Sequence, residues 1–433
     1  MKRTSLLLLV TLLNSFVFAR AITIPENFSP YFIYEDDKES FSGQEIIELS
    51  LNFGMTEKDS DNWNLTLEGY KALRKYTAGQ VEGLSPEATG EMLLTCMYEK
   101  VLDSYNFDQT RLDLMFKTGV YNCVSSSLLY LALAKDFGLD ARVQETKDHA
   151  FIILYLPDSQ ITVETTNPYG FNPGQKRLLE SSNGVTKYAV IPAKTYRNKI
   201  EVSERRAITL VSNNIISGWN NSFIYTDIIP LSVSNMQFVQ KEEDKARSEF
   251  DAVVSNIAAA AALDNKTSQA LDFLEKIFEN YGSDSQLSAT YNNLAYNEAA
   301  FAVNDMDLDL AKENVEKRKP YLSEKNYKSI YNSIYETEYY NRAAAAAGTG
   351  DYLAAVIIVD EGLYLVPDSK NLKNYRSQCL QNHGIIVHNQ IVPLLNAQKY
   401  EQSLEILKTA MTDNPNNRTL INDYNRISKI IKK

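Results

Sequence analysis

YNCVSSSLLYLALAKDFGLDARV, residues 121–143, carries a cysteine at its third position, where an apolar helix should start. Leu128, Leu129, Ala132, Leu133 and Phe137 recur at spacings of three and four, which predicts a helix from at or near Cys123 with those residues as its buried face. Gly138 is placed to end it as a C′ glycine. A structural cysteine would stand within the apolar stripe, but Cys123 stands at its mouth. There the free N–H groups and the positive end of the helix dipole stabilise a thiolate. Ser125, Ser126 and Ser127 are small and leave room in the first turn.

Working outward, the period changes. HAFIILYL (149–156) is a short run rich in aromatic and β-branched residues and predicts a strand. PDSQ (157–160) predicts a turn, ITVET (161–165) a second strand, and KYAVIPA (187–193) a third. If PDSQ is a four-residue loop, Leu156 pairs with Ile161 and His149 falls beside Pro168. Upstream, Ser85 and Pro86 mark a helix start, as N-cap and first helical residue. Met92, Leu93, Cys96, Met97 and Val101 follow at helical spacing, so Cys96 reads as a core residue. Residues 22–60 read as an irregular lead-in with one helix near Gly43–Phe53.

A thiolate nucleophile needs a base. Of three histidines, His383 and His388 lie far along the chain, whereas His149 opens the strand after the cysteine helix. A strand-end histidine facing a helix-start cysteine makes a Cys–His couple. A third group should orient the imidazole and stabilise its cation. Glu164, Thr165, Thr166 and Asn167 are the candidates, with Glu164 preferred and Asn167 in reserve as the member of a Cys-His-Asn arrangement. The Cys123 N–H is the natural oxyanion donor, with Tyr121 or Asn122 as a second.

YNCVSSSLLYLALAKDFGLDARV, DHAFIILYL and VETTNPYG together resemble the transglutaminase-like cysteine-enzyme superfamily over roughly residues 85–195, most specifically over 121–170. The resemblance implies a papain-like α+β domain and assigns Cys123, His149 and Glu164 to the family's Cys, His and Asp positions. The family usually carries Asp-Pro-Thr at the last motif, where this chain has Glu-Thr-Thr-Asn-Pro and a side chain one methylene longer.

Beyond residue 203 the strand signal stops and helical patterns run to the C-terminus. GDYLAAVIIVDEGLYLVPDSKNL (350–372) and QKYEQSLEILKTAMTDNPNNRTL (398–420) match at an offset of 48: Tyr352 with Tyr400, Ala355 with Ser403, Pro367 with Pro415. They resemble the second half of a tetratricopeptide repeat, with a period longer than that family's roughly 34 residues. The expected architecture is therefore an α+β transglutaminase-like domain (85–202) followed by an all-α, solenoid-like repeat domain (203–433), with residues 22–84 as a partly helical lead-in. A plain helical bundle is the alternative for the second half.

The chain has 433 residues, 44% hydrophobic and 23% charged, with a formal net charge of −11 that gives no support for nucleic-acid binding. Residues 1–21 read as a signal peptide: Lys2 and Arg3, an apolar region from Leu6 to Phe18, then Ala19-Arg20-Ala21 as a cleavage site. The 13 residues from Leu6 to Phe18 fall short of the roughly 20 that span a bilayer. The expectation is an exported, soluble protein, periplasmic or secreted, associated with a membrane only if the signal stays uncleaved. Cys96, Cys123 and Cys379 can close at most one disulfide, which leaves a free thiol. His383 and His388 stand five apart, off a common helix face, and no metal or cofactor is implied.

The expected function is a Cys-His-Glu enzyme acting on peptide or protein amides through a thioester, by hydrolysis or acyl transfer, with peptide hydrolysis favoured. The helical half would bind the substrate or a protein partner. The alternative is an inert exported scaffold that binds proteins through its helices.

Overall fold

Helix α5 (Cys123–Asp136) is buried without interruption from Cys123 to Ala134. It is therefore buried all round rather than one-faced, its three serines included, as suits a helix enclosed on every side. The predicted stripe is buried except Phe137, which is partly exposed, and Gly138 adopts the left-handed φ of 72° expected after the last turn. Against α5 pack α1 (Gly43–Phe53) and α3 (Pro86–Lys100); α2 (Asp61–Val81) packs on α1, α3 and the short α4 (Leu112–Thr118), and β1 (Ser104–Tyr105) and β2 (Val120–Tyr121) form a parallel pair. Helix α1 has the predicted bounds, and α3 starts as read, with the Ser85 hydroxyl accepting from Ala88 N. Gly43 lets α1 approach closely, because a Cβ there would lie 2.3 Å from the Ala132 carbonyl oxygen.

This computed structural model describes residues 22–173, 196–222 and 224–432. The predicted signal peptide and the predicted strand at 187–193 lie outside the described residues. A four-stranded antiparallel sheet covers α5 in the order β5-β4-β3-β6, with β3 at Asp140–Glu145, β4 at Ala150–Leu156, β5 at Ser159–Val163 and β6 at Ile200–Glu201. The fold is α+β.

The β4–β5 turn corrects the predicted register. Leu156 pairs with Ser159 and Leu154 with Ile161, so the loop is the two residues Pro157 and Asp158. Pro presets φ for such a turn and Asp favours it. The ladder moves by two residues, so every side chain keeps its predicted face while its cross-strand partner changes.

The chain forms two compact units, Met1–Leu287 and Ser288–Lys433. The first includes α6 (Glu204–Asn221), α7 (Ile228–Phe238), α8 (Glu243–Leu263) and α9 (Thr267–Tyr281). Residues 22–42 form no helix or strand and run along this unit as an extended strap. The second contains α11 (Leu308–Arg318), α12 (Glu324–Gly348), α13 (Tyr352–Leu365), α14 (Lys370–Asn396), α15 (Tyr400–Asp413) and α16 (Arg418–Ile431), after α10 (Ser285–Asn304), in which the division falls. Helices α13 and α15 are each 14 residues long and begin 48 residues apart. Ala343, Ala355, Val359 and Leu372 centre one cluster, and Val387, Ile391, Leu407 and Leu420 another. A buried Arg318–Glu298 pair makes two hydrogen bonds of 3.0 Å.

Candidate active site

Cys123 is the first residue of α5, and its local geometry is fixed by the residue before it. The Asn122 side chain caps the helix, accepting from Val124 N at 3.0 Å and Ser125 N at 3.1 Å, while the Ser125 hydroxyl accepts from Asn122 N at 3.0 Å. This reciprocal cap takes up the amides that follow Cys123. Among the described residues, no hydrogen bond occupies the Cys123 N–H. Asn122 and Tyr121, read as the second oxyanion donor, each have partners of their own. The Asn122 amide also donates to Phe107 O, and the Tyr121 hydroxyl pairs with Tyr98 at 2.9 Å and approaches Thr166 O.

His149 immediately precedes β4, and its Nε2 lies 2.8 Å from Glu164 Oε2. Cys123 is the imidazole's other ionisable neighbour; it acts with Glu164 to favour the charged ring, and it lines the same cleft as His149. The register explains why Glu164 reaches it. Ile152 faces Val163, and continuing the ladder sets Phe151 against Glu164, so His149 is a diagonal neighbour on the same face. The strand then stops. Glu164 N donates to Gly170 O and Gly170 N to Asn167 O, forming a tight loop in which a Cβ at Gly170 would fall 1.9 Å from the Glu164 carbonyl oxygen.

Glu164 is 4% exposed and fully engaged. Oε1 accepts from Thr166 N at 3.1 Å and from the Thr166 hydroxyl at 2.6 Å; Oε2 accepts from His149 and from the Tyr196 hydroxyl. Burial acts to raise its pKa, but the His149 bond and charge and the hydroxyls of Thr166 and Tyr196 outweigh it, and the carboxyl stays below its usual range. Burial likewise acts to lower the His149 pKa. The neighbouring Cys123 and Glu164 reverse that, and the imidazole is pushed up to about 10. Asn167, held in reserve for Glu164, uses its side-chain oxygen on Tyr169 N at 2.9 Å.

Sequence reasoning missed three supports. Thr165 docks the loop onto α5, pairing with the Ser126 hydroxyl at 2.9 Å and the Ser127 hydroxyl at 3.0 Å. The serines read as leaving room therefore make the contacts. Tyr196 adds an edge-on ring to His149, with centroids 6.0 Å apart, as well as its bond to Glu164. Arg206, at 1% exposed, binds Glu145 and Glu249 with two hydrogen bonds each and so ties α6 and α8 to the end of β3. Glu145 pairs across the ladder with Ala150, next to His149. None of these partners is close in sequence, and no local spacing signals them.

Cys123 and His149 open onto a cleft of about 1010 Å³, near the upper end for ligand sites, whose walls include Asn106, Phe107, Asn214 and Trp219. Cys96, Cys123 and Cys379 are all free thiols, and burial pushes those of Cys96 and Cys379 up. Among the described residues, no group of three or more His, Cys, Asp and Glu is arranged to hold a metal ion, and no helix is long and apolar enough to cross a membrane. No known protein family, curated protein or solved structure matches the chain.

Proposed function

We propose that the chain is an exported, transglutaminase-like cysteine enzyme that acts on peptide or protein amides, with its C-terminal helices forming a repeat array that binds substrate or partner. The carrying observation is the His149–Glu164 hydrogen bond beside Cys123, the thiol and the imidazole lining one cleft. Cys123 passes its proton to His149, and Sγ attacks the amide carbonyl. The oxyanion develops beside the Cys123 N–H at the head of α5. His149 returns the proton to the leaving amine, which departs as the thioester forms. Water or a second amine, deprotonated by His149, then takes the acyl group and restores the thiol. Glu164 touches no reacting atom; it orients the imidazole and stabilises its cation, and the bonds from Thr166 and Tyr196 hold it for that role.

The test is to incubate the protein with a mixed peptide library, quench it in acid and look for a peptide thioester by mass. The reading requires an adduct on Cys123 that His149→Ala abolishes. No adduct and no product would reject it. The scaffold reading draws support from Ile357, Tyr364 and Ile385, large apolar side chains left exposed on α13 and α14. It requires retention of a protein partner that is unaffected by Cys123→Ala.

A further inference from the structure

We propose that Ile22 is the first residue of the processed protein and that Asp264 receives its α-ammonium. The proposal rests on the export part of the reading above and not on its thioester chemistry. Ala19-Arg20-Ala21 has the small-x-small form after which signal peptidases cut, and the next residue is Ile22. Hydrolysis of the Ala21–Ile22 bond by such a peptidase consumes one water. The carbonyl leaves as the Ala21 carboxylate, and the nitrogen remains on Ile22 as an ammonium.

The structure has a receptor for that ammonium. Ile22 N donates to Asp264 Oδ2 at 3.1 Å, and Ile22 O accepts from Lys266 Nζ at 2.7 Å. Asp264 caps the end of α8 and Lys266 precedes α9; between them Asn265 takes a left-handed φ of 59°. One short turn thus presents an anion to the nitrogen and a cation to the carbonyl oxygen of the same residue. A neutral amide needs only a neutral acceptor, whereas a carboxylate binds a cation about twice as strongly. Lys266 Nζ also pairs with Asp264 at 2.6 Å and is the cation that competes with the new terminus.

The consequence concerns the strap. With no helix or strand of its own, it is held by contacts spread along its length. The Tyr281 hydroxyl donates to Phe28 O, the Phe28 ring lies 5.9 Å from Phe273, Tyr31 N donates to Pro230 O and Phe32 N to the Ser234 hydroxyl. Arg205 donates to Lys38 O just before α1. Ile22 is the outermost of these anchors on α6–α9. Processing strengthens it, so the precursor holds the strap less firmly than the mature chain.

The experiment reads the N-terminus of the exported protein by sequencing and intact mass, then compares melting temperatures of chains beginning at Ile22 and at Ala21. Each is made with Asp264, with Asp264→Asn and with Lys266→Met. The expected terminus is Ile22. The Ile22 form should melt about 2 °C above the Ala21 form, a gap that closes with Asp264→Asn and widens with Lys266→Met. The Ile22 amine should also be acetylated several-fold more slowly at neutral pH than the Ala21 amine. Cleavage at another bond, equal melting and equal amine reactivity of the two forms, or a gap that ignores Asp264→Asn would overturn the proposal. Thioester formation at Cys123 is measured separately and survives either result.

Discussion

The corner around Cys123 and the unit Ser288–Lys433 use burial in opposite ways. In the corner, Asn122, Ser125, Ser126, Ser127, His149, Glu164, Thr165 and Thr166 are all buried polar residues, and each has hydrogen-bond partners. In the second unit the two clusters are made of Ala, Val, Leu, Ile and Cys379 between successive helices, and its buried polar residues, among them the Arg318–Glu298 pair, Asn414 and Asn417, lie outside those clusters. Apolar contacts tolerate small shifts because they have no direction. A buried polar network tolerates few, because each unpaired group costs roughly 1–3 kcal/mol. Directional networks belong where atoms must be placed for chemistry, and non-directional cores where helices need only stack.

Substitutions can break this contrast, beginning with the largest expected effect. Cys123→Ala should abolish thioester formation, and His149→Ala should lower turnover by about 10²–10⁴-fold, both measured by steady-state kinetics. Neither should disturb the helices, as far-UV circular dichroism can check. Glu164→Gln keeps the shape but loses the charge that stabilises the imidazolium, and turnover should fall by about 10²-fold or more, with Tyr196→Phe costing less. In the second unit, Leu407→Ala should cost about 2–5 kcal/mol in denaturant unfolding of that unit while thioester formation stays intact.

Thr165→Val strips Ser126 and Ser127 of a shared partner. It should cost about 1–3 kcal/mol and also slow turnover, a double penalty that no apolar-cluster variant should show. The pH dependence follows from the same corner. His149 is raised from 6.5 to about 10, so its contribution to stability is complete below about 6.5 and lost as pH climbs toward 10. Glu164 is lowered, so its contribution is present above its ordinary range and lost on acidification. Chemical denaturation across pH should give a plateau between about 4.5 and 6.5 and a falling limb above it that flattens in His149→Ala. Arg142→Ala, at an exposed pair with Asp140 and Glu201, should change stability by less than about 1 kcal/mol and leave activity unaltered.

What was legible in the sequence tracks how local each signal is. The helix start at Ser85-Pro86, helix Gly43–Phe53, the head of α5 at Cys123 and the strand after His149 are each set by residues within a turn or two, and all were readable. The β4–β5 register slipped by two because PDSQ has polar residues throughout, while only Pro157-Asp158 turns and Ser159 and Gln160 enter the strand. That slip kept Asn167 in reserve beside the preferred Glu164: with His149 against Pro168, Glu164 falls out of reach, whereas the true ladder makes His149 and Glu164 diagonal neighbours. Tyr196, Arg206 and the Thr165 docking were invisible because their partners lie tens of residues away. The cap by Asn122 was local, and Asn followed three residues later by Ser could have been read as a capping pair.

The most direct measurement is site-resolved alkylation of the native protein by a thiol reagent at neutral pH, followed by mass spectrometry, in the wild type and in His149→Ala. Cys123 should be modified at least tenfold faster than Cys96 and Cys379, and should lose most of that advantage in His149→Ala. Equal modification of the three thiols, or a Cys123 rate indifferent to the imidazole, would contradict the account.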